Sequence, residues 1–200
     1  MEPKALRVRV FAGIACISAA ALLLEVTLTR IFSLTMWYHF AFMSVSLALL
    51  GSAASGVFLY LMQHRFPAEQ LGARLPLVAM LFSVAILSCF IAQLGIPFLP
   101  AKSLAGLANI SLIFLVLAVP FFLGGLCLSL ALTHLAAQVG RLYFADLCGA
   151  ALGCLLALPA LAYLGGPGAV IAIAVLPALA ALLFASAAEA SGIRRAALLW

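Results

Sequence analysis

Long apolar runs alternate with short polar breaks along the chain, and the runs have the length of membrane spans. The first extends from about Val10 to Met36, and a tight turn near Trp37 and Tyr38 separates it from a second over His39 to Met62. The stretch QHRFPAEQLGAR, Gln63 to Arg74, is the clearest loop. A third run covers Leu75 to Leu94. The connection that follows, GIPFLPAKSLAG, contains Pro97 and Pro100, which oppose a continuous helix. A fourth run, Leu107 to Ala136, holds Pro120 with Gly124 and Gly125 one turn later, a pattern that predicts a kink or local unwinding. After the short loop AQVGRL at 137–142, a fifth run covers Tyr143 to Leu164, the turn GGPG follows, and a sixth covers Ala169 to Ala188. At 1.5 Å per residue, about 20 helical residues cross a hydrocarbon core about 30 Å thick. The expected fold is an all-α, polytopic transmembrane bundle of about six helices. Residues 1–9 are expected to form a cytoplasmic segment, 10–188 the membrane domain, and 189–200 a cytoplasmic tail.

Composition reinforces this reading. The chain is 68% hydrophobic and 8% charged, against about 25% charged residues in a soluble domain. The short basic start, MEPKALRVRV, resembles a signal peptide, but the apolar run behind it exceeds a cleavable core, contains Glu25 and is followed by further spans. An uncleaved first helix is expected. The net charge of +5 comes from basic residues scattered between apolar runs, with no basic stripe or nucleic-acid motif. No nucleic-acid partner is expected; the partner is the lipid bilayer.

The charges also orient the chain. With a cytoplasmic N-terminus, the inner segments collect Lys4, Arg7, Arg9, Arg65, Arg74, Arg141, Arg194 and Arg195, while the outer loops hold Lys102 and Arg30 lies near the outer end of the first helix. That bias follows the positive-inside rule and places both termini in the cytoplasm, in a cell inner membrane or plasma membrane. An odd number of spans would break it.

Small residues mark the expected helix contacts. Gly51/Ser55 and Ser52/Gly56 in the second helix, and Gly149/Gly153 in the fifth, are spaced four apart, a pattern that lets backbones approach closely in lipid. Cys16, Cys89, Cys127, Cys148 and Cys154 all lie inside apolar runs without CxxC spacing and read as small packing residues.

The candidate functional residues are the polar exceptions. Glu25, about 15 residues into the first helix, is costly to leave charged against lipid and should face the bundle interior. It serves either as an interhelical hydrogen-bond or ion-pair anchor, or in contact with a cation or polyamine or in proton movement. Arg30, five positions on, is about 140° around the helix from Glu25 and can snorkel to the interface. His39 stands beside the interfacial Trp37 and Tyr38, far from His64 and His134 near the opposite boundary, so no three-histidine metal site is expected. Asp146, following Arg141 and Tyr143, falls about one turn into the fifth helix, where the free amides stabilise a carboxylate. Glu25 and Asp146 then lie at different depths, which opposes a paired-carboxylate mechanism. GGPG at Gly165 to Gly168 lacks the spacing and context of a nucleotide loop, and GxxxxGK[ST], HExxH and GxSxG are absent. No catalytic, cofactor or metal residues are assigned within the chain.

Two segments carry a resemblance. AALLLEVTLTRIFSLTMWYHFAFMSVSLALLGSAASG, Ala20 to Gly56, and GRLYFADLCGAALGCLLALPALAYLGG, Gly140 to Gly166, resemble the membrane region of integral-membrane spermidine synthase-like proteins. The first matches an E-x-x-x-x-R region followed by a small-residue helix. The second matches G-R-x-Y-x-x-D-x-x-G-A-x-x-G, here Gly140, Arg141, Tyr143, Asp146, Gly149, Ala150 and Gly153. The resemblance implies a hydrophobic bundle joined to a cytoplasmic aminopropyltransferase- or methyltransferase-like domain. That domain, absent from these residues, would use decarboxylated S-adenosylmethionine as substrate and transfer its aminopropyl group to putrescine. The function expected is an anchoring module, with the chemistry elsewhere. Alternatives are a transporter-like bundle for a polyamine or other small solute, or a structural assembly subunit.

Overall fold

The computed structural model describes residues 3–35, 41–96 and 104–197. They form five long α-helices: α1 (Pro3–Thr35), α2 (Ala41–Leu61), α3 (Leu71–Gly95), α4 (Leu104–His134) and α5 (Val139–Ala197). Short 3-10 turns lead from α2 to α3 and from α4 to α5. All five helices are long and apolar enough to cross a bilayer, which makes this an all-α, multi-pass membrane protein.

At 59 residues, α5 would be about 90 Å long if straight, three times the hydrocarbon thickness. It does not run straight. Gly165 adopts φ 68° and ψ 178°, a conformation essentially confined to glycine. The chain turns there, dividing α5 into a first arm (139–164) and a second arm (166–197). Pro167 sits in the first turn of the second arm, where its missing N–H has no intrahelical partner to lose. The turn foreseen over Gly165 to Gly168 therefore rests on one residue.

Contacts along α1 show that the arms run in opposite directions. The first arm ascends beside it: Gly149 meets Ala15, and Gly153 meets Ala19. At the turn, Gly166 lies against Ile31. The second arm then descends, with the Phe184 ring on Gly13 and an Arg9 guanidinium donating to the Ser186 carbonyl at 3.3 Å. α3 is antiparallel to this second arm, since Gly72 faces Ala188 and the Ser83 hydroxyl donates to the Ala174 carbonyl at 2.6 Å. α2 and α4 run side by side in the same direction: Gly51 packs on Ala118 and Phe121, and Gly125 on Ser52 and Ser55. The path is thus six crossings, with α5 supplying two.

Phe32, Phe82, Phe121 and Phe184 fill the core. Glycines make the room: Gly13 accommodates Phe184, and Gly124 accepts Phe82. In lipid this close fit, with hydrogen bonds between helices, replaces the hydrophobic drive that water supplies to a soluble core.

Some local expectations change. α4 runs through Pro120 without the local unwinding foreseen there. α1 and α3 begin several residues before their apolar runs, because basic residues such as Arg7 and Arg74 are good helix formers and extend the spans past the bilayer boundary. The Gly51/Ser55 pair makes the expected near-backbone contact. Gly56 does not: among the described residues, nothing lies within 4 Å of the position a Cβ would take. It opens instead on a shallow recess of about 280 Å³ shared with Tyr60, Gln63, Ser129 and Thr133.

Candidate functional site: a polar seam along α1

The first arm of α5 buries a narrow row, Leu142, Ala145, Gly149, Gly153 and Ala157, against α1. The row follows the i, i+4 ridge of a helix and consists mostly of small residues, so the backbones nearly touch. A Cβ on Gly149 would lie 2.2 Å from the Ala15 carbonyl oxygen, and one on Gly153 2.4 Å from that of Ala19. Between these two contacts, the Ser18 hydroxyl donates to Asp146 Oδ1. The same hydroxyl lies 3.1 Å from the Ile14 carbonyl, the ordinary local partner of a serine within a helix.

This gives Asp146 a different setting from the one foreseen. α5 starts at Val139, making Asp146 its eighth residue, beyond the four free amides of a helix start. Its described partner is a serine on another helix. Arg141 and Tyr143, from the same motif, stand exposed outside the buried row.

The second polar cluster ties α1 to α2. Thr29 donates to the Glu25 carbonyl at 2.8 Å and also bonds Ser44. The Thr29–Ser44 bond can run either way, and when Thr29 donates in it the Ser44 proton is free for the Glu25 carbonyl. Ser44, fully buried, is also 3.5 Å from the Glu25 carbonyl. Glu25 is half-buried. It joins the helices through its backbone, and its carboxylate has no hydrogen-bond or ion-pair partner among the described residues. Arg30 is exposed, and its carbonyl accepts from Ser33 at 2.8 Å. His39, Trp37, Tyr38 and Lys102, with Pro97 and Pro100, lie outside the described residues.

Glu25 and Asp146 are not brought together. Asp146 is level with Ser18, seven residues before Glu25 on α1, a rise of about 10 Å. Among the described residues, no group of three or more His, Cys, Asp or Glu side chains is placed to hold a metal. All five cysteines are free. Cys127 is fully buried and Cys16 and Cys89 half-buried, in keeping with packing, whereas Cys148 and Cys154 sit on the exposed face of the first arm. Their neighbours in sequence, not they, form the seam.

Ser18, Ser44 and Ser83 were not legible as interhelical ties. A serine in an apolar helix ordinarily bonds the carbonyl one turn back, and sequence spacing does not show which serines also reach a neighbour. Two buried atoms, Thr27 Oγ1 and Gln93 Oε1, have no hydrogen-bond partner among the described residues. Comparison with protein-family models, curated proteins and solved structures finds no match.

Proposed function

We propose that this bundle is the membrane-anchoring module of a spermidine synthase-like protein, holding an aminopropyltransferase- or methyltransferase-like domain at the inner face of a cell membrane. The observation that carries the reading is the role of the second family-like motif. Asp146, Gly149 and Gly153 lock two helices together, which gives the motif a structural purpose and leaves the chemistry to another domain. Decarboxylated S-adenosylmethionine would be a substrate of that domain.

The topology supports the same arrangement. The start of α1 and the end of α5 lie at one end of the bundle, together with Arg7, Arg9, Arg65, Arg74 and Arg141 among the described residues, while Arg30 lies toward the other. By the positive-inside rule the arginine-rich end is cytoplasmic. Residues 1–200 in liposomes, given decarboxylated S-adenosylmethionine and putrescine, should form no spermidine, while a longer protein carrying the soluble domain should. Spermidine formation by residues 1–200 alone would refute the reading.

One observation favours a second reading, movement of a polyamine or similar cation: the carboxylate of Glu25 is unpartnered among the described residues within a span. An intramembrane acid in that state is suited to a cationic solute. Uptake of labelled putrescine by the same liposomes, lost in Glu25→Gln, would select it over anchoring.

A further inference from the structure

We infer that a basic recess at the arginine-rich end of the bundle binds a phosphate group, supplied by the headgroup of an anionic phospholipid. The recess has a volume of about 450 Å³ and is lined by Arg7 from α1, by Gln138 of the 3-10 turn before α5, and by Gly140 and Arg141 at the start of α5. Its size lies within the range of about 300–1,000 Å³ of small-molecule sites.

Three features converge on an anion. First, two guanidiniums from separate helices face one space, and neither has an ion-pair or hydrogen-bond partner among the described residues. A guanidinium presents a planar fork of donors that matches phosphate oxygens, and two of them from different directions can hold one phosphate. Second, the floor of the recess is open: among the described residues, nothing lies within 4 Å of the position a Cβ on Gly140 would take. The glycine keeps the first turn of α5 uncovered, so an oxygen can approach the helix end closely. Third, the recess stands where apolar spans begin, the level at which lipid phosphates are expected. The apolar spans containing its walls begin at Arg7 and Ala136, so Arg7 and Arg141 flank the boundary where arginine side chains extend to headgroups.

Two neighbouring cations are already engaged. Arg9 reaches the Ser186 carbonyl. Arg74 is held by Gln70 Oε1 at 3.1 Å and lies over the Phe66 ring. Those guanidiniums have protein partners, whereas Arg7 and Arg141 point at an open space.

The test uses the full 200-residue chain in detergent micelles, with bound lipid read by native mass spectrometry. Phosphatidylglycerol should be retained over phosphatidylcholine, and its apparent affinity should fall at least tenfold in Arg7→Gln/Arg141→Gln. Arg65→Gln/Arg74→Gln, which removes equal charge from the same end, should keep it within about twofold. Gly140→Leu, which fills the recess and leaves both arginines, should also release the lipid. Retention of bound phosphatidylglycerol against millimolar inorganic phosphate assigns the lipid headgroup, while displacement assigns the same recess to free phosphate. Equal loss in the two double variants, or undiminished binding in Gly140→Leu, would overturn the site. Circular dichroism melts of each variant identify any that is merely unfolded; for such a variant, Arg7→Lys/Arg141→Lys replaces it and should weaken binding by losing the forked geometry.

Discussion

Replacing Gly149 with alanine should unlock the seam between α1 and the first arm of α5. The new Cβ would stand 2.2 Å from the Ala15 carbonyl oxygen and 2.7 Å from its carbonyl carbon and Cα. All three are backbone atoms, so no side-chain rotation relieves the clash. To restore ordinary contact near 3.5 Å the arm must retreat by about 1 Å, and a gap of that size forfeits roughly a quarter to a half of the dispersion energy of each pair across the seam. Overpacking of this kind costs about 1–3 kcal/mol. The retreat also draws Asp146 from Ser18, a further loss of about 0.6–1.7 kcal/mol for a hydrogen bond within a membrane bundle. Alanine's better helix propensity offsets up to about 1 kcal/mol, leaving a net destabilisation of about 0.6–4.7 kcal/mol. Gly56→Ala makes the same chemical change with nothing within 4 Å, and should be neutral or stabilising by up to about 1 kcal/mol. Unfolding in mixed micelles with rising SDS, followed by circular dichroism, separates the two. A Gly149→Ala midpoint at or above the parent's, or an equal drop in Gly56→Ala, would refute the close-contact account.

Gly165→Ala should destabilise by about 1–3 kcal/mol through backbone strain alone, and Gly165→Asn should not rescue it, because this conformation lies outside the left-handed region asparagine tolerates; the same SDS titration decides. A double-mutant cycle on Ser18→Ala and Asp146→Ala should give a coupling of about 0.6–1.7 kcal/mol, and additivity would dismiss the bond. Glu25→Leu and Glu25→Gln should melt within about 1 kcal/mol of each other, since the described interhelical contact at that position uses the backbone carbonyl; a large deficit in the leucine variant alone would reveal a carboxylate partner.

The number and order of crossings were legible because hydrophobic run length is a direct consequence of bilayer thickness, and because Gly165 and Pro167 punctuate an otherwise continuous apolar stretch. The small-residue pairs at Gly51/Ser55 and Gly149/Gly153 were equally legible, since close approach in lipid needs residues of that size. Partner identity was not. Which helix Gly149 meets, whether Gly56 faces a neighbour or an open recess, and which serine reaches Asp146 all depend on the rotation of each helix about its axis, and a nearly uniform apolar surface does not encode that rotation by hydrophobicity. The same degeneracy hid the setting of Glu25: its place in a span was plain, but not that the backbone would make the contact with α2. Arg7 and Arg141 are 134 positions apart, and only the fold brings them to one recess.

The most direct test of the folded-back α5 is a disulfide between Gly72→Cys and Ala188→Cys in a background with the five native cysteines replaced. A Cβ at position 72 lies 3.2 Å from the Ala188 Cβ, near the roughly 3.5–4.5 Å spacing of disulfide-bonded residues, and position 188 reaches α3 only if the chain reverses at Gly165. Mild oxidation of isolated membranes should convert the pair to an intramolecular disulfide, seen as a mobility shift that reductant abolishes. Free thiols at both positions after oxidation, in protein that remains folded and membrane-embedded, would contradict the hairpin and the six-crossing path built on it.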